Sequence, residues 1–527
     1  MLKEIDMGKN TKNKDIKIHR AELDYYVSLK FDCNLDFTRL CDTINSWMKN
    51  TMDNYFNVQQ ASYSVLTEKL KKVEMELVND FDRDNYRNIN TPKRNPSLTN
   101  DVQISLDFTD KGFRTIITPY EVINYYTRRN DLTVEYNQYE RIYGKTFTET
   151  QERFVFPPLR VTLENEKVVW MNAILCVFAN KMGILKLELP LYDITSNHLK
   201  EIDKYAYIKE TKYEWDGSKP FNGTTIDEIS DFYLDCVRSF CSLKILKYNY
   251  ICHTILADYE GMPENTGHID INTQEELYKI ISAPVTDIAY ASCKDLAKEY
   301  LKNHSWGERN FKYITNTKGG CLSTTGSAFL KWVEEAIGDE ESAAEARDCA
   351  IKNLRMNVEL ALIIMALRRM NAEYVIYAKA TSPEDAQKIQ RKYNFDRLYI
   401  SELLEGCYGS VREQLENFEK SMRYYIDATL IEEKIEAINE IILDEENQRA
   451  SNFQNFLSIS GVVLALVFGL PAIHDTLSIM RPLLFFIKGD IPYVSVANAS
   501  FFIWSVSTLF LANYILKKQK KKKTKRH

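Results

Sequence analysis

"SNFQNFLSISGVVLALVFGLPAI", Ser451 to Ile473, is a run of 23 residues without a charge. As a helix it would be about 35 Å long at about 1.5 Å per residue, enough to cross roughly 30 Å of hydrocarbon. A second uncharged run, Ile491 to Leu516, has 26 residues, with Tyr493 and Tyr514 near its ends as interfacial aromatics and Trp504 between them. Only 17 residues, His474 to Asp490, separate the two runs. The pattern predicts two C-terminal transmembrane helices joined by a short outer loop.

Charge supplies the orientation. The chain has a formal net charge of −6, but its last eleven residues, "KKQKKKKTKRH", hold eight of the 68 basic residues. The rest, with 60 basic against 74 acidic residues, nets −14. A basic tail behind the second span puts the C-terminus on the cytoplasmic side, and two spans return the chain to that side. The expectation is therefore an inner-membrane, multi-pass protein with both termini cytoplasmic. An acidic body lacks the basic footprint of a protein that binds nucleic acid directly. The ten cysteines are scattered with no Cys-x-x-Cys and no zinc spacing, as reduced thiols in a cytosolic body would be.

Upstream, Ser410 to Ser460 contains neither Gly nor Pro, and apolar residues recur at helical spacing from Leu415 and Phe418 to Ile438 and Ile442. This reads as a stalk helix entering the first span, or as a packed bundle helix. Strand signals lie earlier: "AELDYYVSLKF", "VQISLDF", "LRVTLENEKVVWMNAILCVFANKMGILKLELPL" with two turns, and "KYNYICHTILADY". "INTPKRNPSLTND", 89–101, has the prolines and polarity of a linker. The predicted fold is an α+β cytoplasmic head (1–320), a helical section (321–409), a stalk with the first span (410–473), an outer loop (474–490), a second span (491–516) and a basic tail (517–527).

A head, a stalk running into the first of two spans, a short outer loop and a terminal lysine cluster resemble the CorA family of divalent-cation channels. That family ends its first span in an aromatic-Gly-Met-Asn motif at the mouth of a pentameric pore. The matching positions here are Phe468, Gly469, Leu470 and Pro471. The resemblance implies a homo-oligomer, a pentamer, in a lipid membrane, with Mg²⁺ or another divalent cation as cargo. Asn at the mouth would offer a carbonyl oxygen to the water shell of Mg²⁺, and Pro471 offers none. This departure fits the branch of the family associated with type III CRISPR systems, whose members resemble membrane effectors gated by a nucleotide second messenger in antiviral defence. A Mg/Co transporter is the alternative.

The candidate sites each have a plainer reading. Ser451, Asn455, Ser458, Gly461 and Ala465, continuing to Gly469, form one helical stripe that would line a pore or let helices pack closely. Glu436, Glu440, Asp444 and Glu445 would draw cations to a ring of stalks, or are a solvated helix face. Lys318, Gly319 and Gly320 in "KGGCLSTTGS" would cradle a nucleotide phosphate, or else Thr324 or Thr325 simply caps a helix. Arg128 and Arg129 would hold a phosphate, or form a solvated corner. No metal-ligand cluster or catalytic constellation stands out in the sequence, so the chain reads as a non-enzyme; a membrane-anchored nucleotide-binding enzyme is the second alternative.

Overall fold

The computed structural model describes chiefly residues 15–48, 102–119, 128–137, 149–200, 208–212, 223–282, 305–337, 343–421, 428–484 and 500–510, with short stretches inside these left out. The linker reading at 89–101 lies outside the described residues.

Eleven strands are described: β1 Lys17–Phe31, β2 Val102–Thr109, β3 Gly112–Pro119, β4 Gln151–Leu163, β5 Val168–Phe178, β6 Met182–Thr195, β7 Ile208–Lys212, β8 Ile245–Tyr259, β9 Ser305–Trp306, β10 Phe311–Thr315 and β11 Gly320–Thr325. The helices are α1 (37–48), α2 Ser196–Lys200, α3 Ile226–Cys241, α4 Ile271–Ser282, α5 Ser327–Ile337, α6 Ala343–Tyr377, α7 Pro383–Glu405, α8 Ser410–Ser421 and α9 Ala428–Leu484. Nine strands make one sheet in the order β7-β4-β5-β6-β1-β8-β11-β10-β9, and β2 and β3 form a separate hairpin. Within the large sheet β11 runs parallel to β8, while the other pairings are antiparallel.

The first strand becomes the middle of this sheet, hydrogen-bonded to β6 on one side and β8 on the other. Its residues alternate Leu23, Tyr25, Val27, Leu29 against Glu22, Asp24, Tyr26, Ser28, Lys30, and both sets are buried. Alternation sends the two sets to opposite faces. One face is apolar, the other polar and covered by α6, which packs on β1, β6 and β8. By the same alternation Phe156 of β4 is on the face away from Arg153, and it meets Trp47 of α1 and Tyr233 of α3 at ring distances of 5.6 and 5.5 Å. Helix α3 starts where a capping box predicts a start. Thr225 Oγ1 accepts from the Glu228 backbone N–H, and Glu228 Oε2 accepts from that of Thr225, which satisfies two amides the helix leaves open.

The chain divides into two compact units, residues 1–379 with 389–435, and residues 380–388 with 436–527. The first holds the large sheet together with α6. The sheet extends past residue 320, because β11 is Gly320–Thr325, and the head therefore includes part of what reads in the sequence as a separate helical section.

The two-span fold is corrected. Among the described residues no helix is long and apolar enough to cross a membrane. The first uncharged run is not a separate element ended by Gly-Leu-Pro. It is the interior of α9, which starts among the acidic residues near 432–446 and continues through Pro471 and Asp475 to Leu484. The second run is described mainly over 500–510. The unbroken helix read over Ser410 to Ser460 is described as two, α8 and α9, with residues 422–427 outside the described set.

Thr324 and Thr325 are not helix caps either. They end β11, where Thr324 Oγ1 donates to Tyr259 Oη at 2.8 Å and Thr325 Oγ1 to the Ala257 carbonyl at 3.0 Å. The next residue, Gly326, lies against the backbone of another segment: a Cβ there would sit 2.7 Å from the Glu264 carbonyl oxygen and 3.0 Å from Asn265 Cα. Gly326→Ala should therefore destabilise the head by about 1–3 kcal/mol, as overpacking against rigid atoms does. Chemical denaturation of the variant checks this, and an unchanged midpoint would show that the backbone yields freely.

Candidate functional site

The polar face of the sheet is the most unusual feature of the head. Glu188 (β6) and Asp24 (β1) are cross-strand partners, flanked by Asn172 (β5) beside Glu188 and His253 (β8) beside Asp24. This row crosses four strands. Helix α6 adds Arg355 and Glu359 one turn apart, β4 adds Arg153, and the helical residues 128 and 131–135 add Arg128 and Glu135.

Arg128 holds two carboxylates at once. Its Nε and Nη2 each donate to Glu188 at 2.7 Å, while Nη1 and Nη2 donate to Glu135 at 2.9 and 3.2 Å. Lys186 bridges Glu188 at 2.9 Å and Glu359 at 3.0 Å, and Arg153 reaches Glu359 at 3.2 Å. Arg355 pairs with Glu22 and lies 3.6 Å from both Asp24 and Glu188. All of these side chains are buried.

Burial opposes every charge in this set, and the neighbours decide each outcome. Glu188 is held well below the usual carboxylate range because Arg128, Arg355 and Lys186 outweigh its desolvation. Glu359 is likewise lowered, against burial, by Lys186 and Arg153. Lys186 and Arg355 are raised, with Glu188 the leading cause in both. Asp24 goes the other way: burial pushes it well above its ordinary value despite Lys186 and Arg355. The set holds five acids (Glu22, Asp24, Glu135, Glu188, Glu359) and four bases (Arg128, Arg153, Lys186, Arg355).

Beside Asp24 stands a second arrangement. His253 Nδ1 is 3.8 Å from Asp24 Oδ2, beyond a hydrogen bond, and His253 Nε2 is 2.8 Å from Ser323 Oγ on β11. Burial, with Lys186 and Arg355 adding to it, lowers His253 to about 3, so the ring is neutral. The acid–imidazole–hydroxyl order is that of a nucleophile triad, but all three residues are fully buried. A substrate cannot reach Ser323 in this conformation, and the line serves to join β1, β8 and β11.

The residues singled out in the sequence fall elsewhere or take other roles. Arg128 is not at a solvated corner and holds no free phosphate site, since both carboxylates saturate its guanidinium. Arg129, Lys318 and Gly319 lie outside the described residues, and Gly320 begins β11 opposite Cys252. In the second unit, Ser451 and Asn455 are half-buried, and Ser458, Gly461 and Ala465 are exposed. Gly461 has open space where a Cβ would be, and Gly469 faces the Trp504 ring. Phe468 and Pro471 are exposed, and the Leu470 side chain lies outside the described set. Glu436, Glu440 and Asp444 are solvated, and Glu445 pairs with Arg449 one turn on. Among the described residues no group of His, Cys, Asp and Glu has the arrangement of a metal site. No family model, curated protein or solved structure matches the chain.

The buried network has two measurable consequences. Arg128→Leu leaves Glu135 buried without its paired cation and takes two hydrogen bonds from Glu188, which keeps only Lys186 and Arg355, and it should cost about 3–5 kcal/mol in denaturation. Asp24 tests the protonation pattern. A carboxyl whose native pKa is raised is ionised first in the unfolded chain, so it lowers stability as pH climbs above its ordinary value of 3.8. His253 acts on the acid side: between its ordinary 6.5 and about 3 the unfolded chain binds a proton the fold refuses, so stability falls with pH there. Asp24→Asn, neutral at every pH, should match or exceed the wild type at pH 8. A loss there like that of Arg128→Leu would mean that Asp24 is ionised in the fold.

Proposed function

We propose that the chain is a self-assembling effector that acts at a lipid membrane, with the α/β head as its regulatory part. The observation that supports this most is the surface of the second unit. Phe453, Phe456, Leu464 and Phe468 on α9 are exposed, as are Phe501, Phe502 and Phe510, with Phe468 at 66%, Phe502 at 69% and Phe510 at 77%. Monomeric soluble proteins rarely leave a contiguous apolar surface of this kind in water. The hydroxyls nearby turn inward: Thr476 donates to the Ala472 carbonyl at 2.7 Å and Thr508 to that of Trp504 at 2.6 Å. The eight basic residues of the tail would add attraction to an anionic leaflet.

A pore of the CorA type needs spans that the described helices do not supply, so the reading is confined to membrane association. Housekeeping Mg²⁺ uptake is disfavoured, because Pro471 brings no side-chain acceptor to the position where the family has Asn. A small signalling nucleotide is the ligand class to test on the head, in keeping with the resemblance to nucleotide-gated effectors in type III CRISPR defence.

Full-length protein mixed with anionic phospholipid vesicles should float with them in a density gradient. Phe456→Glu combined with Phe468→Glu should sharply reduce the floating fraction. Protein that stays at the bottom as a monodisperse monomer would sink the proposal. A panel of cyclic and linear nucleotides should include at least one that raises the melting temperature, and a flat panel would remove the sensing role.

A further inference from the structure

Two amines of the head share one aromatic ring, and the nearest carboxylate pairs with one of them. Lys392 on α7 places its Nζ 4.1 Å from the ring centroid of Tyr374 on α6. Lys30, near the end of β1, approaches the same ring at 5.6 Å. The carboxylate goes to Lys30: its Nζ lies 2.8 Å from Asp396 Oδ2, while Asn180 donates to Oδ1 at 3.3 Å. Lys392 is left, among the described residues, with the ring on one side and the Lys30 ammonium beside it. It is half-buried, so a small reagent can reach it from solvent.

This is the environment in which a lysine loses its proton near neutral pH. Burial penalises the ammonium, and a neighbouring cation that is already paired adds repulsion. Burial and then Lys30 bring Lys392 down to about 8, against the opposing pull of Asp396 and Asp32.

We propose that Lys392 is a covalent acceptor site for small aldehydes, forming an imine at Nζ with Lys30 as the adjacent proton donor. The nitrogen lone pair attacks the carbonyl carbon and the carbonyl π pair passes to oxygen. Lys30 gives that oxygen a proton and recovers one from the nitrogen. A second transfer of the same kind protonates the hydroxyl, the nitrogen lone pair expels it with breakage of the C–O bond, and the second N–H proton returns to Lys30, so both amine hydrogens of Lys392 leave with the oxygen as water and a C=N bond replaces the C=O. No oxidant or metal enters the balance. The proposal is independent of the membrane reading, since every residue in it belongs to the head.

The test exposes full-length protein to propanal, traps the imine with cyanoborohydride and maps modified peptides by mass between pH 6.5 and 9.5. At pH 7.5 an amine of pKa near 8 is neutral on the order of a hundredfold more often than an ordinary lysine near 10.4. Lys392 should be alkylated at least about tenfold faster than the exposed Lys388 and Lys420, with its rate levelling off above about pH 8. A Lys392 rate within about twofold of those two lysines would overturn the proposal. Lys30→Met, checked for folding by circular dichroism, should move the pH midpoint at Lys392 upward, because it removes the repulsion of Lys30 and frees Asp396 to pair with Lys392. An unmoved midpoint would remove Lys30 from the site. The wild-type rates decide the main claim even where that variant does not fold.

Discussion

Glu188 is a carboxylate that never meets water, and the head is arranged around keeping it charged. Removing such an ion from water costs several kcal/mol, which only well-placed counter-charges offset. Arg128 supplies two hydrogen bonds to it, Lys186 an ion pair at 2.9 Å, and Arg355 a charge at 3.6 Å. These come from the helical residues around Arg128, from the same strand and from α6, so satisfying one carboxylate joins two other parts of the chain to the sheet. A wholly apolar interface between α6 and the sheet would tolerate sliding by a turn. The ion set does not, because a slip of α6 would strand Glu22, Asp24 and Glu359 together. We read the network as the device that sets the register of α6, at some expense in raw stability.

Much of this head was legible in the sequence, and the rest failed for physical reasons. The strands at "AELDYYVSLKF" and "KYNYICHTILADY" and the run around Arg160 to Leu191 announce themselves by β-branched and aromatic content. The partner of their polar faces did not. Glu22, Asp24 and Lys30 alternate with apolar residues as on a strand with one wet face, and alternation alone assigns charge to water. What hides here is α6, whose Arg355 and Glu359 lie more than 300 residues after β1 and carry the complementary charges. One cue was available: "KLELP" and "ELDYY" both put opposite or like charges at spacing two on strands too apolar to sit at an edge. The short strands β10 and β11 were missed because Gly320 and the Thr-Thr pair resemble a loop before a helix. Lys392 gave no signal, since its environment is made by Tyr374, Lys30 and Asp396 from three separate elements.

The second unit shows the limit of reading hydropathy as topology. Ser451 to Ile473 is as apolar as a span, and the expectation of a hairpin of spans followed directly from it. The structure makes that run the interior of a 57-residue helix with acids at one end and Asp475 and Arg481 near the other. The apolar surface is real in both descriptions, and Phe468 and Gly469 are part of it. The differences lie in where the helix stops and in Pro471, which a span-ending reading places at a terminus and the structure places inside.

The position of β1 in the sheet sets the order in which the head can form during synthesis. It is the first described strand to leave the ribosome, yet its partners β6 and β8 end at Thr195 and Tyr259. At roughly 5–20 residues per second, the strand waits on the order of ten to forty seconds before both edges are paired. An apolar strand exposed for that long would recruit other nascent chains. Glu22, Asp24 and Lys30 keep one of its faces charged through the wait, until α6 covers it. The residues that lock the finished head thus also act, for those seconds, as its guard against aggregation.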